Sequence, residues 1–347
     1  KALRYLRTVE PSKTYAVSLQ TMVFCMATPT RDRALIARNT EWLVREQVQR
    51  GASRGGWGYP GDNADNSNSQ YALLALHEAE RVGVRVDESA WQAALDYWLK
   101  MQNADGSWGY HEKTGGSGSM TCAGISSVII ASNRLNEPDA KIVGGRVQCC
   151  GQQERSAALD KGLEWLGRNF SVRHNPGGSG WLLYYLYGME RAGRMSAERF
   201  LGGHDWYREG TQTLLQLQDR LDGSWTGAGH GESDKNVATS LALLFLAKGR
   251  RPILVAKLKY SADDSWNRHR NDLANLTSYV EKQWRRDLTW QVIEPQGASV
   301  DDLLQSKVLF LNGDTAPQLD REAVDKLREF VADGAVVGGS VVCGGSV

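Results

Sequence analysis

The 347 residues carry 41 lysines and arginines against 40 aspartates and glutamates, a net charge of +1. That balance excludes the basic footprint of a nucleic-acid binder. The longest apolar runs, such as residues 241–247, are far too short for a transmembrane segment. The length itself predicts two domains.

Apolar residues recur at helical spacing over 3–9, 18–27, 31–49, 69–82 and 88–102. The same spacing continues over 121–135, 156–169, 180–193, 205–218 and 236–248. Ten helices are therefore expected, in two alternating kinds. One kind is amphipathic and charged, as in ESAWQAALDYWLKMQ. The other is small and nearly uncharged, as in TCAGISSVIIAS and NVATSLALLFLA. A helix that is apolar all round is buried on both sides, so the second kind forms an inner layer and the first an outer one. Outer and inner helices joined by short loops close into an α/α toroid, with every inner-helix N-terminus at one mouth.

A Gly-Trp signal punctuates the helices: GGWGYP at Trp57, DGSWGY at Trp108, GGSGW at Trp181 and DGSW at Trp225. Nine of the twelve tryptophans lie between Trp42 and Trp225, a density that fits either packing wedges or an aromatic-lined cavity. Beyond Arg250 the pattern changes. Residues 252–260, 288–293 and 307–311 read as strands, the last running into Asn312-Gly313-Asp314. Residues 272–285 and 321–332 read as helices, the second capped by Asp320. Alternating strand and helix predicts a smaller α/β domain with a parallel sheet. The glycine- and valine-rich tail 335–347 offers one more strand, and the domain reads as C-terminally incomplete. The chain begins at Lys1, which leaves room for a removed leader.

Several residues fall where chemistry could occur. Asp62 and Asp65 precede one inner helix, and Asn68 and Gln70 stand in its first turns. Thr121 starts another inner helix, and His230, Asp234 and Asn236 surround the start of a third. With His204 they form a candidate ligand-binding mouth, because helix N-termini favour anions. The same Asp, Asn and Ser residues also suit ordinary helix caps. Cys122, His204, Asp205, His230 and Asp234 lack the close spacing of a zinc site, so no metal and no other cofactor is expected. Cys25, Cys122, Cys149, Cys150 and Cys343 form no C-x-x-C pair and read as free thiols. Cys343 lies at a strand end, yet no histidine follows it to serve as its base. Asp314, at another strand end, reads equally as a turn cap.

The runs ALDYWLKMQNADGSW and REGTQTLLQLQDRLDGSW resemble the QW repeat of terpenoid cyclases, with Gln102 before Trp108 and Gln218 before Trp225. In this reading the glutamine satisfies free amides at a helix start, and Trp57, Trp108, Trp181 and Trp225 are structural elements of the repeat. The resemblance to the squalene cyclase and protein prenyltransferase toroid superfamily covers residues 1–249. It implies six helix pairs where five are counted, so an N-terminal pair is missing or the ring closes imperfectly. The stretches HDWYREG, NRHRNDLANLT, LTWQVIE and VLFLNGD resemble bacterial proteins in which a toroid precedes an amidotransferase-like α/β domain of unknown function, here residues 250–347. That resemblance also implies export. The D-x-D-D acid motif of the cyclases is absent. The expected function is therefore non-catalytic binding or scaffolding, the mouth holding a small molecule, a lipid or a partner protein. The alternative is an enzyme acting on prenyl or polycyclic terpenoid lipids, with Tyr184, Tyr185 and Tyr187 lining an aromatic cavity.

Overall fold

The computed structural model describes residues 1–61, 63–135, 141–143, 146–148, 156–229, 231–248, 251–267, 269–313 and 316–341. Two compact units are present: Lys1–Pro138 with Ser156–Gly188, and Asp139–Arg155 with Met189–Val347. Most of the described structure is helical, and the second unit adds a small four-stranded parallel sheet. All ten helices expected from periodicity are found.

The first unit holds α1 (Ala2–Leu6), α2 (Thr14–Ala27), α3 (Arg33–Arg45), α4 (Asn66–Arg81), α5 (Glu88–Met101), α6 (Gly118–Leu135), α7 (Ala157–Arg168) and the first turns of α8 (Leu182–Ser196). Helix α4 packs between α2 and α6, while α3 and α7 cover this row and α5 lies on α6. The two helix kinds are thus two layers. Along α4 every residue from Asn66 to Leu76 is buried, and α6 is buried from Gly118 to Val128. Small side chains allow this, since Ala72, Ala75, Ala123 and Gly124 let neighbouring backbones approach.

The expectation that every uncharged helix is buried all round needs correction. On α2, Leu19, Val23 and Met26 are exposed, and on α10 (Lys235–Lys248) Val237, Leu243 and Leu244 are exposed. Composition counts apolar residues but not neighbours. Leu19, Val23 and Met26 are spaced to form one stripe, and that stripe faces water.

The Gly-Trp loop is one device used three times. Trp57, Trp108 and Trp225 are 0%, 0% and 3% exposed. Each indole Nε1 donates to a carbonyl of the preceding outer helix: Leu43 at 2.6 Å, Trp98 at 2.8 Å and Leu214 at 2.8 Å. Each tryptophan amide donates to an inner-helix hydroxyl, Ser69 at 2.8 Å, Thr121 at 3.2 Å and Thr239 at 3.1 Å. The glycine two residues earlier has a positive φ in all three: +90° at Gly55, +94° at Gly106 and +72° at Gly223, which L side chains rarely adopt. Trp181 differs. It has a positive φ of 59° itself and is 37% exposed.

Glutamine works otherwise than the repeat's logic suggests. The Gln102 amide donates to the carbonyl of Gly106 in its own loop and to Ala158 in the first turn of α7. Gln47 donates in the same way to Gly55 and Ala90, and Gln218 to Gly223. These side chains satisfy carbonyls and not the free amides of a helix start. Gln47 is thus the counterpart of Gln102, at a looser spacing from its tryptophan.

Trp108 sits between Gly124 of α6 and Gly162 of α7. A methyl at Gly124 would overlap the indole, and one at Gly162 would come within 2.8 Å of it. Gly124→Ala is expected to destabilise by about 1–3 kcal/mol through overpacking. Thermal unfolding of the variant checks this, and an unchanged midpoint would mean that the indole has room to move.

In the second unit β1 (Lys141–Val143) and β2 (Arg146–Gln148) form an antiparallel pair. The rest of α8 is followed by α9 (Trp206–Leu217) and α10. Phe245 of α10 lies against Gly210 and stacks on Tyr207, with ring centroids 5.5 Å apart. The sheet has the order β4-β3-β5-β6, all parallel, from β3 (Ile253–Leu258), β4 (Thr289–Ile293), β5 (Val308–Gly313) and β6 (Val336–Val341). Helices α11 (Asp272–Trp284), α12 (Val300–Leu303) and α13 (Arg321–Ala332) accompany it. Asp320 caps α13 as its position implies, accepting from the Ala323 amide. Leu258, Ile293, Leu309 and Phe330 form the centre of the core. The segment after α8 extends the sheet edge: the Val292 amide donates to Ala197, and the Arg199 amide donates to Val292. The helix α12 and its capping box at Ser299 were not legible from periodicity, being a single turn.

Candidate functional site

In the first unit the starts of α4, α6 and α8 carry the polar residues singled out in the sequence. Asp65 caps α4, its carboxylate accepting from the Asn68 amide at 2.7 Å and from Asn68 Nδ2 at 2.8 Å. The Asn66 amide donates to the Tyr110 carbonyl at 3.0 Å, and its side-chain nitrogen donates to Gly109 at 2.7 Å. At the start of α6 the Gly118 amide donates to Pro176, and the Ser119 amide donates to Asn175 Oδ1 at 2.9 Å. Each inner helix is therefore tied to the loop of the following repeat. Several of its first amides, the donors that would serve an anion, are spoken for inside the protein.

What this face offers instead is a set of neutral hydroxyls, amides and rings. Tyr15 of α2 hydrogen-bonds Ser67 of α4, and Ser67 also meets the Tyr184 hydroxyl of α8 at 3.0 Å. The Gln70 amide donates to the same Tyr184 hydroxyl. Tyr15 and Tyr71 lie 4.5 Å apart between centroids, and Tyr71 stacks on Tyr184 at 6.4 Å. Trp181 meets Tyr184 edge-on at 6.0 Å. Burial first, then the neighbouring Tyr184 and Tyr71, push the Tyr15 phenol well above its ordinary range, so it stays a neutral donor. Two buried oxygens here, Asn66 Oδ1 and Asn68 Oδ1, have no hydrogen-bond partner among the described residues.

The sequence-predicted site residues divide between the units. Asp65, Asn68, Gln70 and Thr121 belong to the first; Thr121 holds the Trp108 amide and is structural. His204, Asp234 and Asn236 belong to the second. His204 is a surface residue facing Glu209 at 3.1 Å, and Asp205 caps α9 through the Arg208 amide. Asp234 accepts from the Asn236 amide at 2.7 Å, as a helix cap does. Asp62 and His230 lie outside the described residues, as do Cys149, Cys150, Asp314 and Cys343. Tyr185 and Tyr187 are buried, and Tyr184 joins the ring cluster. Tyr15, Ser67 and Tyr71 escaped sequence reading. One signal could have found two of them: Tyr15 and Ser67 are both the second residue of an inner helix, and Tyr184 is the third of another.

Among the described residues no three of His, Cys, Asp and Glu gather as a metal site would require, and no helix is long and apolar enough to cross a membrane. Cys25 is buried, and that burial pushes its thiol up to about 12. In the α/β part, Lys257 is fully buried, and its ammonium donates to Asn267 at 2.7 Å, to the His269 carbonyl at 2.9 Å and to Asp272 at 2.8 Å. Three donors meet three partners. Burial lowers its pKa and Asp272 opposes that shift, so the group acts as a clamp from β3 to α11. Searches against known protein families and against curated proteins found no match for this chain.

Proposed function

We propose that this protein is a non-catalytic binding protein of the α/α toroid kind, and that the inner-helix face around Tyr15, Ser67 and Tyr184 holds a neutral, hydroxyl-bearing ligand of the saccharide type. Two supports bear on the toroid: the two-layer alternation of helices and the threefold use of the Gly-Trp device. The binding reading rests on one observation, the convergence of three tyrosines, a serine and a glutamine from three inner helices. Phenol rings stack on the apolar face of a pyranose, while uncharged hydroxyls and amides match its alternating donors and acceptors. A prenyl or polycyclic cation would instead need free aromatic faces around an apolar hollow. The indoles of Trp57, Trp108 and Trp225 are already committed to packing between helices.

The test compares cellotriose binding by calorimetry with turnover of farnesyl diphosphate and squalene, all on the full chain. Cellotriose is expected to bind, and Tyr184→Ala to weaken it about tenfold or more, the cost of losing one ring contact and one hydrogen bond. Absence of binding would sink the saccharide reading. Turnover of either lipid that disappears in Asp65→Asn would establish the enzyme reading in its place.

A further inference from the structure

Two copies of the Gly-Trp signal continue past the tryptophan in the same way, as Trp57-Gly58-Tyr59 and Trp108-Gly109-Tyr110, whereas Trp225 is followed by Thr226 and Gly227. The wedge accounts for the tryptophan and not for the tyrosine. Trp57 and Trp108 are fully buried, yet Tyr59 is 57% exposed and Tyr110 43%. The glycine between them is required by a close approach: a methyl at Gly58 would overlap the Asn63 carbonyl, and one at Gly109 the Thr114 hydroxyl and carbonyl. Each loop therefore turns back on itself at once. The Asp65 amide donates to the Trp57 carbonyl at 3.0 Å, and the Ser117 amide to the Trp108 carbonyl at 3.0 Å. Both loops are pinned at the wedge and hold a tyrosine out in water.

These rings adjoin the tyrosine face. Asn66, the neighbour of Ser67, holds the carbonyls of both Gly109 and Tyr110. Burial first, then Asp65, Tyr59 and Tyr184, push the Tyr110 phenol above its ordinary range, so those three groups stand near it. Trp181, which meets Tyr184 edge-on, is 37% exposed. Its φ of +59° is one that a bulky L residue rarely adopts, and backbone strain of this kind gathers at ligand clamps. A single exposed ring needs no explanation. Tyr59, Tyr110 and Trp181 are three, on the loops that lead into α4, α6 and α8 of the first unit, and the loops of one face of a repeat are often its binding face.

We propose that Tyr59, Tyr110 and Trp181 are outer subsites of the tyrosine face, and that its ligand is a linear polysaccharide chain and not a single sugar. This rests on the saccharide reading of that face. Each exposed ring offers a flat apolar surface to one pyranose, and the phenol hydroxyls and indole N–H at the ring edges meet the sugar's hydroxyls.

Calorimetry of the full chain with cellotriose and with cellohexaose tests this. The hexaose is expected to bind about tenfold more tightly or better, because the added ring contacts act together on one chain. A longer chain also gains slightly from its extra registers. Tyr59→Ala and Trp181→Gly, where glycine takes the positive φ without strain, should reduce the gain to that statistical part. Tyr59→Ala should melt with the wild type, since the ring it removes is exposed. Equal affinity for the two sugars, or a full gain in both variants, would overturn the outer subsites while cellotriose binding on the central face stands. Hexaose binding that tolerates Tyr184→Ala but not Tyr59→Ala would uphold the outer rings and sink the central reading. No binding of either sugar would sink both.

Discussion

Trp108→Ala is expected to lower the unfolding free energy of the full chain by about 3–5 kcal/mol, the usual range for deleting a fully buried aromatic side chain. The indole fills the space between Gly124 and Gly162 and carries a hydrogen bond to the Trp98 carbonyl. Its removal leaves a cavity between an inner and an outer helix and takes the indole donor from the Trp98 carbonyl, while the backbone amide of residue 108 keeps its bond to Thr121. Trp108→Phe keeps most of the volume but drops the Nε1 donor, so it should cost less than the alanine change. Urea denaturation followed by circular dichroism measures both. A cost near zero for alanine would mean that the loop is an ornament and not a wedge, and the whole reading of the repeat would fail with it.

Asp302→Ala is expected to cost a comparable 3–5 kcal/mol, about the penalty for breaking a buried ion pair from one side. Asp302 accepts from Arg199 at 3.2 Å and Arg208 at 2.8 Å, and its other oxygen closes the capping box with Ser299. Without it, the buried Arg199 guanidinium keeps Asp205 as its carboxylate partner among the described residues. Burial alone would raise the Asp302 carboxyl. The Ser299 hydroxyl and amide and the two guanidiniums together hold it below its ordinary 3.8. A carboxyl lowered in the folded state gives stability that is complete above that ordinary value and disappears as pH falls through the lowered one. The wild-type protein should therefore lose stability as acid is added below pH 3.8, and Asp302→Asn should flatten that part of the curve. A parallel acid profile in the variant would show that another carboxyl governs it.

The fold was largely legible because its period is long and strong. Ten helices follow from spacing alone, and the strands of the sheet follow from short β-branched runs between turns. The tryptophan wedges were legible too, since a glycine two residues before each indole marks the same turn. What failed was whatever depends on a partner distant in sequence. Whether the Leu19 stripe of α2 is covered depends on which helices lie beside it. The Gln47 counterpart is hidden by a longer loop, and the direction of the glutamine bonds is set by carbonyls of the next repeat. The candidate site divides the same way. Asp65 and Asn68 could be named from their place before a helix, yet the same place makes them caps. Tyr15 and Ser67 carry no motif and matter only because two inner helices start at one level. Nothing in the sequence marks the pairing of Arg199 and Arg208 with Asp302, because the acid lies 103 and 94 residues further along the chain.

The tyrosine face is the centre of this account, and ring-labelled tyrosine offers the most direct test of it. In the full chain titrated with cellotriose, resonances of Tyr15, Tyr71 and Tyr184 should shift, while those of the buried Tyr97 and Tyr185 stay still. Shifts confined to other tyrosines, such as Tyr207 of α9, or no shift at all, would contradict it.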